Sequence, residues 1–246
     1  PEMNYRRVPR PRPPWQQVME RAEQDAWFPL IFDRAVEGDG ATMDELMGKG
    51  EVAHVHDTID AQLADLIKTH NPHQPVFTDE ELARRVKEKL GDTPSYEYGR
   101  WVFYPWSRRL VHVLPPDEFF ELRSDRNRQK ITRAEQLKLS RLKIGLVGLS
   151  VGNAIAVTLA LEGLFGELRM ADFDTLDLSN MNRLRCTVDQ IGLLKVVICA
   201  RQIFEMNPYA NLTLFPEGAT KENIGAFYDD GGRLDIAIDE CDSVYV

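Results

Sequence analysis

The sequence predicts an α/β fold: a Rossmann-like, mainly parallel sheet preceded by a mainly helical region with a short β-pair. Three observations carry that expectation. An apolar run at 142–147 ends at Gly148, as a buried parallel strand would. Gly148-Leu149-Ser150-Val151-Gly152 then turns the backbone, and residues 153–163 are apolar at helical spacing. A second apolar stretch at 168–171 ends on Asp172. Strand, glycine turn, helix and strand in that order form the unit from which a parallel sheet is wound. The chain therefore divides into residues 1–124, mainly helical, and residues 125–246, which carry the sheet.

Residues 9–14 form an arginine–proline arm, held extended by steric restriction at each proline. It reads as a surface-hugging tail or as a partner-binding segment. Residues 15–28 read as a helix and 42–47 as a short one. Residues 51–70 read as one longer helix. Its Val52, Val55, Ile59, Leu63 and Leu66 recur at three- and four-residue steps, and Asn71-Pro72 stops it. Thr78 and Glu81 are spaced as a capping box that opens a helix through Leu90, with Gly91 closing it. Residues 101–106 and 110–114 read as a β-pair around Ser107-Arg108-Arg109, and Pro115-Pro116-Asp117 starts a helix to near Arg123. On a helix, His54 and His56 point about 200° apart, while His70 and His73 flank a proline. No shared metal face is expected from them, and His112 stands alone in the β-pair. The aromatic run from Trp101 to Trp106 reads as core or a docking face, since no basic groove accompanies it as base stacking requires.

Composition bounds the function. The chain has 246 residues, net charge -9, 43% hydrophobic and 28% charged residues, ordinary values for a soluble chain long enough to bury a sizeable core. The acidic balance argues against nonspecific nucleic-acid binding. No apolar run approaches the ~20 residues of a membrane span, and the first residues lack the apolar centre of a signal peptide. Cys186, Cys199 and Cys241 form no C-x-x-C pair and read as small buried or loop thiols in a reducing compartment. A cytoplasmic protein with no nucleic-acid or membrane partner is expected.

The glycine turn lets backbone approach a ligand closely, and the helix it opens can face a phosphate. Asp172, about twenty residues on, stands where such a site holds a ribose hydroxyl. The turn is not G-x-G-x-x-G, because Ser150 replaces an expected glycine. A chain this acidic needs local cations to hold a polyphosphate, and they cluster: Arg126, Arg128, Lys130 and Arg133, then Arg183 and Arg185, then Lys195. Arginine's planar fork suits phosphate oxygens. Asp242, at the tip of a later strand, suits the magnesium that shields a triphosphate. This set fits attack of a carboxylate on the α-phosphate of ATP, accelerated by positioning and charge stabilisation. Blander readings stand beside it: an ordinary strand-turn-helix without ligand, Asp172 capping the following loop, Arg183 and Lys195 as solvated helix-end charges, Arg128 as plain surface.

Residues 171–185, ADFDTLDLSNMNRLR, are followed by Gly192…Lys195 and by Asp239…Asp242-Ser243. Upstream lie Asn127-Arg128-Gln129 and Thr132…Glu135-Gln136. In these pieces, from about residue 125 to 246, the sequence resembles the ThiF/MoeB/HesA family, the bacterial branch of the ubiquitin-activating superfamily. It departs in the glycine turn and in a spacing from Arg183 to Lys195 about one residue short. The resemblance implies ATP and Mg2+ as cofactors, with Gly148, Ser150 and Gly152 at the phosphate turn. It implies Asp172 on the ribose, Arg183 and Lys195 on phosphates, Asp242 on magnesium and Asn180 lining the site. Arg128 would be an arginine finger crossing between subunits of a homodimer, while Asp174 is nearer a loop-shaping role. The implied function is ATP-dependent adenylylation of a carboxylate, the C-terminus of a small ubiquitin-like or sulfur-carrier protein. A nicotinamide-dependent oxidoreductase would share the turn and Asp172 without needing Lys195 or Asp242; a non-catalytic nucleotide-binding or dimerisation module is the other alternative. Domains of this kind continue past residue 246, so the chain is expected to be truncated and inactive as it stands.

Overall fold

A computed structural model describes residues 26–74 and 76–241. The arginine–proline arm, residues 15–25 of the first expected helix and Asp242 lie outside the described residues.

The first half builds a four-stranded sheet in the order β1-β3-β4-β2. Its strands are β1 (Leu30–Phe32), β2 (His54–Asp57), β3 (Arg100–Tyr104) and β4 (Arg109–Val113). The expected β-pair is its centre: β3 and β4 run antiparallel with Val102 opposite Val111. β1 adds antiparallel to β3, and β2 adds parallel to β4. The helices are α1 (Asp39–Gly48), α2 (Ile59–His70), α3 (Asp79–Leu90) and α4 (Pro116–Ser124). Residues 26–29, at the end of the first expected helix, are not helical.

The helix expected over 51–70 splits. Arg108 takes φ 54° in the turn before β4, and its carbonyl accepts the Ala53 and His54 amides at 2.8 and 3.3 Å. That pulls 54–57 onto the sheet. Asp57 Oδ1 then accepts the Ile59 amide at 3.2 Å and starts α2. Ile59, Leu63 and Leu66 are buried as the periodicity requires, whereas Val55 is exposed. His54 and His56 consequently share one strand face, ring centroids 6.5 Å apart, so the angular separation expected of a helix does not hold. Among the described residues no group of three metal-ligating side chains forms. In α3, Thr78 accepts the Glu81 amide at 3.2 Å, but the Glu81 carboxylate turns to Gln74 at 2.9 Å. Half of the expected capping box forms.

The second half is wholly parallel: β5 (Lys143–Val147), β6 (Glu167–Ala171), β7 (Leu212–Phe215) and β8 (Ile236–Asp239), in the order β7-β6-β5-β8. Its helices are α5 (Arg133–Leu139), α6 (Gly152–Glu162), α7 (Lys195–Met206) and α8 (Ile224–Asp229). The chain winds outward from β5 to β7, then returns to the other flank of β5 with β8. That reversal opens a crevice at the carboxyl ends of the strands. Before β5, Thr132 and Glu135 complete a reciprocal capping box. The buried Gln136 donates to the Glu162 and Gly163 carbonyls at 3.0 and 2.9 Å, satisfying the end of α6.

One core joins the halves. Val102, Tyr104 and Val113 pack with Leu146, Leu168, Met170, Val196, Ile203 and Phe204. Tyr104 donates its hydroxyl to the Phe204 carbonyl at 3.0 Å, and Glu205 accepts from Trp106 Nε1 at 2.9 Å and Arg109 at 2.6 Å. Arg169 is 1% exposed on β6, an interior charge nothing in its apolar strand foretells. It donates to Glu167 at 2.7 Å and to the Phe227 and Gly232 carbonyls at 2.8 and 2.7 Å, tying α8 to the sheet.

Candidate functional site

The crevice at the carboxyl ends of β5, β6 and β8 has a volume of about 190 Å3. Gly148, Ser150, Asp172, Phe173, Gly218 and Glu240 are among its walls. Gly148 closes β5 with φ +85°, a conformation disfavoured for other residues, and a Cβ there would stand 2.7 Å from the Glu240 carbonyl oxygen. Its amide donates to the Ala171 carbonyl at 2.9 Å. A Cβ on Gly152 would stand 2.6 Å from Leu146 Cδ2, so α6 starts directly on β5. Both glycines are required by close packing around the turn.

Asp172 is 8% exposed. Its Oδ2 accepts the Leu149 amide at 2.6 Å and its Oδ1 accepts the Asp174 amide at 2.8 Å. The carboxylate therefore pins the glycine turn to the loop after β6. A carboxylate has about four lone-pair sites, so two remain for a ligand's hydroxyls. Lys195, the first residue of α7, is 5% exposed. Its ammonium donates to Asp174 Oδ2 at 2.7 Å and to Ser150 Oγ at 3.2 Å. Asp174, read from sequence as a loop shaper, is thus the counter-ion that lets a lysine be buried. Gly148, Ser150, Gly152, Asp172, Asp174 and Lys195 converge on one turn.

Other expected residues stand apart from it. Arg183 faces solvent and donates to Asn182 Oδ1 at 2.9 Å. Asn180 Oδ1 accepts the Asp177 amide at 3.1 Å, shaping the short turn Leu178–Asn182. The Arg128 side chain is 52% exposed and pairs with Asp125 of its own turn. It lines a separate cavity of about 310 Å3 at the corner between α4 and α5.

Sequence reasoning passed over Phe173 and Gly218. Phe173 is 70% exposed at the mouth of the crevice, and a Cβ on Gly218, at φ +80°, would meet its ring at 2.9 Å. The signal was available: an aromatic between two acids at a strand end has no core to fill. Cys199 lies beneath the site, where burial pushes its thiol up to about 12, so it is no nucleophile near neutral pH.

A model of the ThiF family matches residues 124–246, half of the chain. Over 148 residues the chain is 48% identical to an uncharacterized protein of Mycobacterium tuberculosis, covering 60% of this chain and 20% of that one. It is 36% identical over 189 residues to ubiquitin-like modifier-activating enzyme 5 of Drosophila sechellia, covering 74% of this chain and 42% of that one. Among solved structures, the tRNA threonylcarbamoyladenosine dehydratase TcdA of E. coli in complex with ATP aligns over 50% of this chain and 51% of its own, at 25% identity and TM-score 0.47. The chain spans 20% and 42% of the lengths of these two curated relatives.

Proposed function

The chain belongs to the ThiF family, and on that premise we propose that residues 125–246 form a nucleotide unit that adenylylates a carboxylate with ATP. One arrangement carries the reading: Asp172 and the buried Lys195 hold adjacent residues of the same glycine turn, Leu149 and Ser150. An acid for the ribose, backbone N–H groups for phosphate and a cation thereby share one crevice. A carboxylate oxygen attacks the α-phosphorus. The bond from that phosphorus to the oxygen bridging to the β-phosphate breaks, and pyrophosphate leaves with its electron pair. The free lone pairs of Asp172 accept ribose hydroxyls, Phe173 flanks the base, and Lys195 offsets charge growing on the phosphates. No protein nucleophile is needed.

The acceptor we favour is the C-terminus of a small ubiquitin-like or sulfur-carrier protein, supported by the likeness to a ubiquitin-like modifier-activating enzyme. A homodimer in the cytoplasm is part of the proposal. Arg128, exposed and away from the crevice of its own chain, is placed in it as a residue acting on the partner's phosphates. Arg183 is assigned, with Lys195, to the phosphates bound by its own chain, reaching them from its exposed loop. Magnesium is assigned to Asp242; the described residues assemble no cage for it, and no step is routed through the ion.

Calorimetry with Mg-ATP and with NAD, on wild type and Lys195→Ala, tests the reading. ATP should bind more tightly than NAD and lose about tenfold or more in the variant, since hydrogen bonds to charged groups contribute about 1.5–3 kcal/mol. Tighter NAD binding would favour an oxidoreductase and sink the proposal. Pyrophosphate exchange with a carrier protein then separates an enzyme from a nucleotide-binding module.

A further inference from the structure

At the opposite end of the parallel sheet from the glycine crevice, a cavity of about 290 Å3 opens between the halves. α4 supplies Phe119, Phe120 and Arg123; Ser140, Gly166 and Asn211 supply the other wall from just before β5, β6 and β7. No Asp or Glu lines it, in a chain of net charge -9.

Arg123 is the cation in that wall, and it is half-buried. One of its N–H groups donates to the Ala160 carbonyl at 2.8 Å. No carboxylate lies within the 4.0 Å of an ion pair among the described residues, and burial lowers its pKa with no acid opposing the shift. Arg100, Arg109, Arg128 and Arg169 each sit on a carboxylate instead. A guanidinium has five N–H donors in a planar fork that matches a carboxylate, so most of its capacity is open.

Phe119, Phe120, Leu137, Phe165 and Tyr209 give the rest of the lining its apolar and aromatic surface, with Ser140, Asn207 and Asn211 as its neutral polar residues. Phe119 and Tyr209 meet edge to face, centroids 5.4 Å apart at 78°. The Tyr209 hydroxyl is turned away to the Leu114 carbonyl at 2.6 Å, which leaves its ring to the cavity. The volume lies just below the ~300–1,000 Å3 typical of ligand sites, which suits a small ligand. A phosphate would leave these rings uncovered and would meet only one cation.

We propose that this cavity binds a small organic carboxylate with an aromatic or apolar body, its carboxylate on Arg123 and its body against Phe119, Phe165 and Tyr209. Such a ligand bridges α4 to the parallel sheet, and it is independent of any nucleotide at the far end.

The test is a titration of the whole chain with 3-phenylpropionate, its neutral amide and inorganic phosphate, followed by amide-shift NMR. Saturable shifts at Phe119, Phe165 and Asn211 are expected with the acid. The amide and phosphate should bind at least about tenfold more weakly, the factor expected when a charge-assisted bond is lost. Arg123→Gln should show the same loss. Asn211→Asp places an acid in the exposed rim, leaves Arg123 intact and should also weaken the acid. Lys195→Ala, at the other end of the sheet, should leave it unchanged. The proposal is overturned by equal binding of acid and amide, by phosphate matching the acid, or by both wall variants binding like wild type. Absence of saturable shifts at up to about 10 mM, a weak limit even for a fragment-sized ligand, would overturn it as well.

Discussion

Replacing Asp172 by asparagine should unlock the glycine turn. Each carboxylate oxygen accepts one backbone N–H, Leu149 at 2.6 Å and Asp174 at 2.8 Å, in a residue 8% exposed. Asparagine keeps the size but offers one acceptor oxygen and an NH2 donor group. Either flip of the amide sets that donor group against a backbone N–H. One charge-assisted bond is lost, about 1.5–3 kcal/mol, and the stranded N–H adds about 1 kcal/mol. A destabilisation of about 2.5–4 kcal/mol is expected. With a urea slope of about 1–3 kcal/mol/M, the unfolding midpoint should fall by roughly 1 M or more. Far-UV circular dichroism in urea reads the stability, and Mg-ATP calorimetry reads the site. A change below about 0.5 kcal/mol, the size of an ordinary surface substitution, would refute the pinning role. A large loss of stability in which folded protein still binds ATP normally would refute the ribose role and leave the pin.

Gly148→Ala should destabilise by at least about 2 kcal/mol, since left-handed backbone alone costs roughly 1–2 kcal/mol and the new Cβ meets the Glu240 carbonyl oxygen at 2.7 Å; equal urea midpoints would mean that β8 does not sit against the turn. Tyr104→Phe strands the Phe204 carbonyl and should cost about 1–3 kcal/mol. Burial raises the Tyr104 pKa above 10.0, with Glu205 adding to the rise, so this contribution is full below the ordinary tyrosine value and lost as pH rises through the folded one. The variant's stability should therefore fall less steeply on the alkaline side, and parallel curves for the two proteins would contradict that. Mixing Arg128→Ala subunits with Lys195→Ala subunits should restore part of the exchange activity if Arg128 crosses the dimer; hybrids that form without recovery would place Arg128 elsewhere.

The sheet half was legible because its signals are local. An apolar run, a glycine turn and a helical stripe each lie within a few residues, and β5, α6 and β6 fall within about two residues of their expected bounds, the usual boundary error. Thr132 and Glu135 were read only for the family resemblance, although their capping box also lies within four residues. What escaped depends on distant partners. β2 exists because the Arg108 carbonyl reaches residues 53 and 54, while Val52, Val55 and Ile59 happen to keep helical spacing. β1 is three residues long, too short for any periodicity. Arg169 looks misplaced in an apolar strand until α8 supplies its carbonyls. In the candidate site, the turn, Asp172 and Lys195 were readable from type and position. That Asp174 neutralises Lys195 was not, because a spacing of 21 residues carries no directional information.

Helix α7 runs from Lys195 at the glycine turn to Phe204 and Glu205, which the first sheet's hairpin clasps through Tyr104, Trp106 and Arg109. Ten residues of helix make a strut about 15 Å long, with the proposed site at one end and the first half's grip at the other. Severing the chain near residue 124 would remove those three clasps and leave the strut held by its packing on the parallel sheet alone. The first half thus acts as a splint on the far end of the helix that carries the buried lysine, whose own partners, Ser150 and Asp174, lie in the second half.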